Sequence, residues 1–298
     1  MSKQVKADFM LILVTLCWGV SYYMTDVSLA DVGPFTLNSF RFLGAFAISL
    51  ILAFPRLKTV NKTTLKYSML VGIALVFVYI GVTFGVMYTS LSNSGFLCAL
   101  TVVFTPILAF IFKKQIPDKK LAVVVIMCLV GIGLLTLNEQ LKPAVGDILC
   151  IMCAVAYAVD LLITETAVAK EEVDAFQLGV FQLGFTGLFN CILAFLTEEP
   201  HLPQSGAVWG SVIFLAVFCT GVAFIVQAIA QQYTSASHVG VIFTLEPVFS
   251  GIVAFFLAGE VLLPRAYAGA VILLASLFVM ELDLSKWIHR NSDKNKEN

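Results

Sequence analysis

The amino-acid sequence predicts an all-α integral membrane protein of ten transmembrane helices, arranged as two inverted five-helix repeats with both termini cytoplasmic. Three observations carry this. Hydrophobic residues make up 59% of the 298 positions and charged residues only 12%, with mean hydropathy +0.95, more apolar surface than a soluble core of this size can hide. The chain also repeats itself: at a constant offset of 145, Tyr88 to Phe112 matches Tyr233 to Leu257 at 11 of 25 positions, and both copies open on Tyr-Thr-Ser-x-Ser. Its lysines and arginines, finally, fall almost wholly in alternate connections.

The spans follow in order. Phe9 to Thr25 comes after Lys3 and Lys6, a pattern that also fits a signal peptide. No small-x-small cleavage site follows, and removal would leave one repeat incomplete, so this span is expected to be retained. Phe35 to Phe54 lies between Pro34 and Pro55; Tyr67 to Tyr88 carries Gly72, Gly81 and Gly85; Ser94 to Phe112 has Pro106 at its middle; Leu121 to Leu137 follows Pro117. Asp147 to Val168 opens the second half after Pro143, followed by Ala175 to Leu196 with Gly179, Gly184 and Gly187, then Val208 to Gln231 after Pro203. His238 to Ala258 and Tyr267 to Leu282 complete the set. Each run is near the ~20 residues a helix needs to cross hydrocarbon, and the alternating pattern of a barrel strand is absent. Residues 1–140 and 141–284 are thus the two repeats. Residues 285–298 form a polar tail, HRNSDKNKEN after Trp287, with too little apolar surface to fold.

With the amino terminus inside, the cytoplasmic segments hold fifteen of the 18 basic residues and the outer ones only Lys142 and Arg265. The remaining one, Arg41, lies within a span. Five spans per repeat is an odd number, so the second half enters the membrane inverted, the topology that serves alternating access around a midplane site. The seven cysteines all fall in apolar runs. Cys150 and Cys153 form a C-x-x-C without a second pair or a nearby histidine, so neither a metal nor a redox site is expected.

Polar groups inside the spans are the functional candidates. Arg41 lies about 10 Å into its helix from Pro34; it suits an anionic substrate group or a coupled carboxylate, and equally a tie between helices. Its repeat mate is Gln182. Glu246, followed by Pro247, is suited to carrying a proton, since a charged carboxylate is costly in hydrocarbon, and the proline marks a bend. A neutral glutamic acid hydrogen-bonded to a neighbouring helix is the plainer alternative. Asp160 is a second intramembrane carboxyl, whereas Glu165 lies near enough to the cytoplasmic end to be solvated. Pro106 is the hinge candidate of the first repeat. Trp18, Tyr22, Tyr79, Thr83, Tyr88, Thr101, Tyr157, Gln227 and Gln231 suit a cavity that mixes aromatic faces with hydrogen-bonding groups.

Taken in order, several short features resemble the EamA-type transporters of the drug/metabolite transporter superfamily. They are Trp18-Gly19, the spacing from Pro34 to Arg41-Phe42, the Tyr-Thr-Ser openings at Tyr88 and Tyr233, Leu245-Glu246-Pro247-Val248-Phe249, and Gly259-Glu260. The resemblance runs from about Phe9 to Leu282. It implies a ten-helix inverted-repeat carrier in the cell membrane, often an exporter of amino acids, other metabolites or xenobiotics, with a cavity between the halves. The chain departs from the pattern at Lys114-Gln115, where Gly-Glu is common, and at Ala156-Tyr157, where a tryptophan is common.

The expectation is a secondary transporter, not an enzyme, with no catalytic residues, cofactor or metal. Its expected partners are a small-molecule substrate and the lipid bilayer, with no nucleic acid; a homodimer is an open alternative. No G-x-x-x-x-G-K-[ST] sequence occurs, so ATP is not expected to drive it. A lipid-modifying membrane enzyme is the competing class, opposed by the lack of histidines at ligand spacing. A channel would call for charged rings or a carbonyl filter.

Overall fold

The computed structural model describes residues 3–89, 91–136, 145–257 and 264–281, and every element among them is helical. In order they are α1 (Lys3–Leu29), α2 (Pro34–Leu57), α3 (Lys62–Tyr88), α4 (Leu91–Ala99), α5 (Thr101–Lys113), α6 (Lys119–Thr136), α7 (Val145–Val168), α8 (Ala175–Thr197), α9 (Gly206–Phe214), α10 (Ala223–Ala230), α11 (Ala236–Phe243), α12 (Glu246–Leu257) and α13 (Pro264–Glu281). Seven continuous or stacked segments are long and apolar enough to cross a membrane, and Leu97–Lys113 and Tyr267–Met280 are shorter apolar helices. The 140/141 repeat boundary, Gly259-Glu260 and the tail lie outside the described residues.

Several helices begin on a polar residue just outside their apolar run. Asn61, Asp174, Ser205 and Ser235 each accept a hydrogen bond from the backbone N–H three residues on, which satisfies a donor the helix cannot. Pro34 starts α2, where its missing N–H costs nothing. Ser235 gives the second Tyr-Thr-Ser phrase its physical role as a helix cap; the corresponding Ser90 lies outside the described residues.

The two halves bend at the same place. Leu100 separates α4 from α5 with φ −60° and ψ −8°, and Thr244, at the end of α11, has φ −66° and ψ −8°. At the repeat offset Thr244 falls on Ala99 and Leu245 on Leu100. Pro106, the hinge candidate of the first repeat, sits inside α5, six residues after the break at Leu100. Pro247 does adjoin the bend of its own repeat, in the first turn of α12, where proline is tolerated.

Lys114 ends α5 in the left-handed region, φ 55° and ψ 26°, a conformation that favours glycine. Its repeat mate is Gly259, so the lysine occupies a glycine's backbone position.

Helix contacts come in mate pairs, as an inverted duplication requires. Across the halves α2 packs on its mate α8 and α6 on its mate α13, while α3 packs on α7 and α1 on the α9–α10 segment. Close approach depends on glycine where backbones meet. A Cβ at Gly81 would stand 2.6 Å from the Leu149 carbonyl oxygen across the α3–α7 contact, and one at Gly19 would stand 2.4 Å from the Phe249 Cβ.

The end of the bundle where α1 starts is here the near face and the opposite end the far face. At the near face Arg56, closing α2, pairs with Asp174, the cap of α8, at 2.8 Å. Burial disfavours the charged carboxylate, yet the Arg56 guanidinium and the Gln177 and Phe176 backbone N–H groups outweigh it and hold the Asp174 carboxyl below the usual aspartate range. A lowered folded-state value stabilises above the ordinary aspartate range, and that contribution is lost as pH falls through the lowered value. Asn retains the cap and removes only the charge. With both side chains open to water, Asp174→Asn is expected to lower apparent Tm at neutral pH by about 2 °C or less. The difference from the parent should vanish in acid, as read by thermal unfolding in detergent.

Candidate functional site

A crevice opens between the repeats. Its lining on α1 and α3, from Trp18 to Thr25 and from Val78 to Val86, runs toward the far face. It is narrow, with a cavity volume of about 60 Å³. Its walls are built from mates. At the repeat offset Tyr79 falls on Phe224, Cys98 on Phe243 and Thr101 on Glu246, and all six line the crevice. Setting Asp8 of α1 on Asp147 of α7 likewise puts Trp18 on Tyr157, and these two rings pack edge to face at 5.8 Å. The crevice therefore straddles the axis that relates the halves.

Its floor is aromatic. Trp18 also meets Phe243 at 4.8 Å and Phe224 at 5.5 Å, while Tyr157 stacks on Phe243. Between α9 and α10 the helix widens into a π-turn, Leu215–Val222, a distortion frequent at functional sites. It presents the Cys219 carbonyl to the Trp18 Nε1 at 2.9 Å and the Thr220 hydroxyl to the Arg41 Nε at 2.8 Å.

Two ionisable groups face this aromatic box. Arg41 is 2% exposed; its guanidinium stacks 4.7 Å from the Tyr79 ring, and its Nη2 has no hydrogen-bond partner among the described residues. No carboxylate of the described residues lies within ion-pair distance of it. Glu246 starts α12, and its Oε1 accepts from the Tyr22 hydroxyl at 2.7 Å. One wall thus offers a fork of donors, and another a carboxylate held by a single phenol.

Of the residues singled out from sequence, Trp18, Tyr22, Arg41, Tyr79, Thr83, Thr101, Tyr157 and Glu246 come together here. Tyr88 does not: it is 54% exposed, nine residues beyond Tyr79 and so about half a turn out of phase on a helix of about 3.6 residues per turn. Gln227, Gln231 and Asp160 stand behind the wall. The Tyr157 hydroxyl donates to Gln227 Oε1 at 2.7 Å, and the Gln227 amide donates to Asp160 Oδ2 and Gln231 Oε1 at 3.2 and 3.3 Å. Pro106 lines a separate near-face crevice with Glu165 and Ser235. Glu165 is not simply solvated: it pairs with Lys113 and accepts from the Ala236 N–H at 3.0 Å. Sequence reasoning missed Cys98, Cys153, Phe224 and Phe243. It also missed the approach of Asp8 to His238, at 3.3 Å across the near face. Among the described residues no group of acids, histidines and cysteines is arranged to hold a metal.

The profile of the EamA-like transporter family matches residues 5–137 and again 144–282. This chain belongs to that family. Membership in EamA makes it a multi-pass membrane transporter of two-repeat architecture, and not an enzyme. Among its relatives, an uncharacterized transporter of Archaeoglobus fulgidus is 28% identical, over 94% of this chain and 87% of that protein. A protein of Salmonella typhimurium described as a probable amino-acid metabolite efflux pump is 24% identical, over 92% and 94%. A crystal structure sharing 16% identity superposes with a TM-score of 0.77 over 93% of this chain and 96% of that one, a likeness of fold. Within this EamA fold the crevice lies where the two repeats meet.

Proposed function

We propose that the chain exports small zwitterionic metabolites of the amino-acid class by alternating access, through ten spans with both termini in the cytoplasm. The observation that carries this reading is that Arg41 and Glu246 line one crevice without pairing to each other, each with bonding capacity left over. A carboxylate suits the guanidinium fork and an ammonium group suits Glu246, while the aromatic box takes the apolar remainder. The relative described as a probable amino-acid metabolite efflux pump supports this substrate class. Lys3, Lys6, Arg56, Lys113 and Lys170 lie at the near face, a bias of basic residues that supports a cytoplasmic near face. Coupling follows from competition, because a proton and a substrate ammonium group both require the Glu246 carboxylate.

Counterflow tests the proposal. Proteoliposomes loaded with an unlabelled zwitterionic amino acid are expected to accumulate its labelled form in a saturable manner. Flux that rises linearly without saturation, or no exchange with any amino acid, would overturn it.

A further inference from the structure

The crevice between the repeats runs toward the far face, and at the near face one acid ties the repeats together. Glu165, near the end of α7, accepts from the backbone N–H of Ala236, the first residue of α11, and pairs with Lys113 at the end of α5. It thereby rests on the partial positive charge of a helix start and ties the second repeat to the first.

The repeat shows where the same device would stand at the other face. In the register that sets Asp8 on Asp147, Ile12 falls on Ile151, Val20 on Val159, Thr25 on Thr164 and Asp26 on Glu165. Contacts support that register independently. Asp147 accepts from the Thr89 hydroxyl at 2.8 Å just ahead of α4, and Asp8 lies 3.3 Å from His238 in the first turn of α11. These two mates meet corresponding helix starts at opposite faces. Asp26, by contrast, is exposed near the far end of α1 and makes no hydrogen bond or ion pair among the described residues. The mate of Ala236 is Leu91, the first residue of α4. The acid that is engaged at the near face is therefore idle at the face toward which the crevice runs.

We propose that Asp26 is the far-face latch: in the near-open state it docks on the start of α4 as Glu165 now docks on the start of α11, and Glu165 releases. The two latches are unequal. Lys113 has Ala258 as its mate, so the far latch lacks the lysine, which favours the far-open arrangement. This inference rests on the alternating-access reading above.

The test uses the full chain in sealed vesicles of known orientation. Ser21, which lines the crevice, is replaced in a Ser21→Cys reporter. Its reaction with a charged, membrane-impermeant thiol reagent applied from the far side is followed on the peptide that contains residue 21. Adding Glu165→Gln is expected to lower the rate about two- to five-fold, and adding Asp26→Asn to raise it by less than about two-fold, because the far-open state already predominates. Asp26→Glu should track the parent; Asp26→Ser, a second neutral variant, should follow Asp26→Asn. An unchanged or slower rate in both neutral Asp26 variants would overturn the latch, as would a rise in Glu165→Gln. The outcomes separate the two readings. Opposite shifts without substrate counterflow in the parent retain the latch and remove the carrier proposal; counterflow with silent Asp26 variants does the reverse.

Discussion

Replacing Arg41 with methionine is expected to lower saturable counterflow of a zwitterionic amino acid by about 30- to 4,000-fold. Truncating one partner of a buried charge contact costs about 2–5 kcal/mol, and each 1.4 kcal/mol is about tenfold. Arg41 spends its Nε on Thr220 and its face on Tyr79, which leaves Nη2 as the donor directed to a ligand. Methionine fills similar volume without that donor. Lysine keeps the charge but loses the planar fork and the stacking, so Arg41→Lys should recover only part of the loss. An analogue that retains the carboxylate but lacks the amino group should be lost to the same degree. Equal counterflow in the parent and Arg41→Met would assign Arg41 to holding α2 against the π-turn alone.

Glu246→Gln should produce a different signature. In the parent, falling pH protonates the carboxylate and removes the partner of a substrate ammonium group, so zwitterion affinity is expected to fall with pH. Glutamine still accepts from Tyr22 but carries no charge to titrate, which should flatten the profile. Affinity for the zwitterion should drop by about 10- to 100-fold, in the range of a charge-assisted hydrogen bond of about 1.5–3 kcal/mol, while the analogue without an amino group is spared. Competition binding measured from pH 5 to 8, with both ligands against both variants, separates the two residues. A pH profile in Glu246→Gln identical to that of the parent would remove Glu246 from coupling.

Arg41 and Glu246 were legible in the sequence because a charge inside an apolar run needs no third dimension to stand out. The helices were legible for the same reason: span ends read from Pro34 or Ser235 fall close to the helix starts. Phase was harder. Tyr79, Thr83 and Tyr88 share one helix and similar chemistry, yet only the first two face the crevice. Phe224 and Phe243 were not singled out because phenylalanine is ordinary in a membrane span, although the repeat offset from Tyr79 leads straight to Phe224. The grouping of Tyr157, Gln227 and Asp160 depends on α7 meeting α10, a contact between distant segments that no local pattern encodes. The break at Leu100 was not singled out, because nothing in an apolar run marks it, although the duplication aligns it with the break at Thr244 and Leu245.

That shared bend has an energetic consequence. When Leu100 and Thr244 hold the same backbone geometry in oppositely oriented halves, exchanging the two conformations hands any strain from one half to the other and leaves the total nearly unchanged. The two states are then close to degenerate by construction. Their balance is left to positions where the halves differ, among them Thr101 and its mate Glu246, which both line the crevice. In such a poised system a difference of about 1.4 kcal/mol moves the populations tenfold, within reach of one proton or one bound charge.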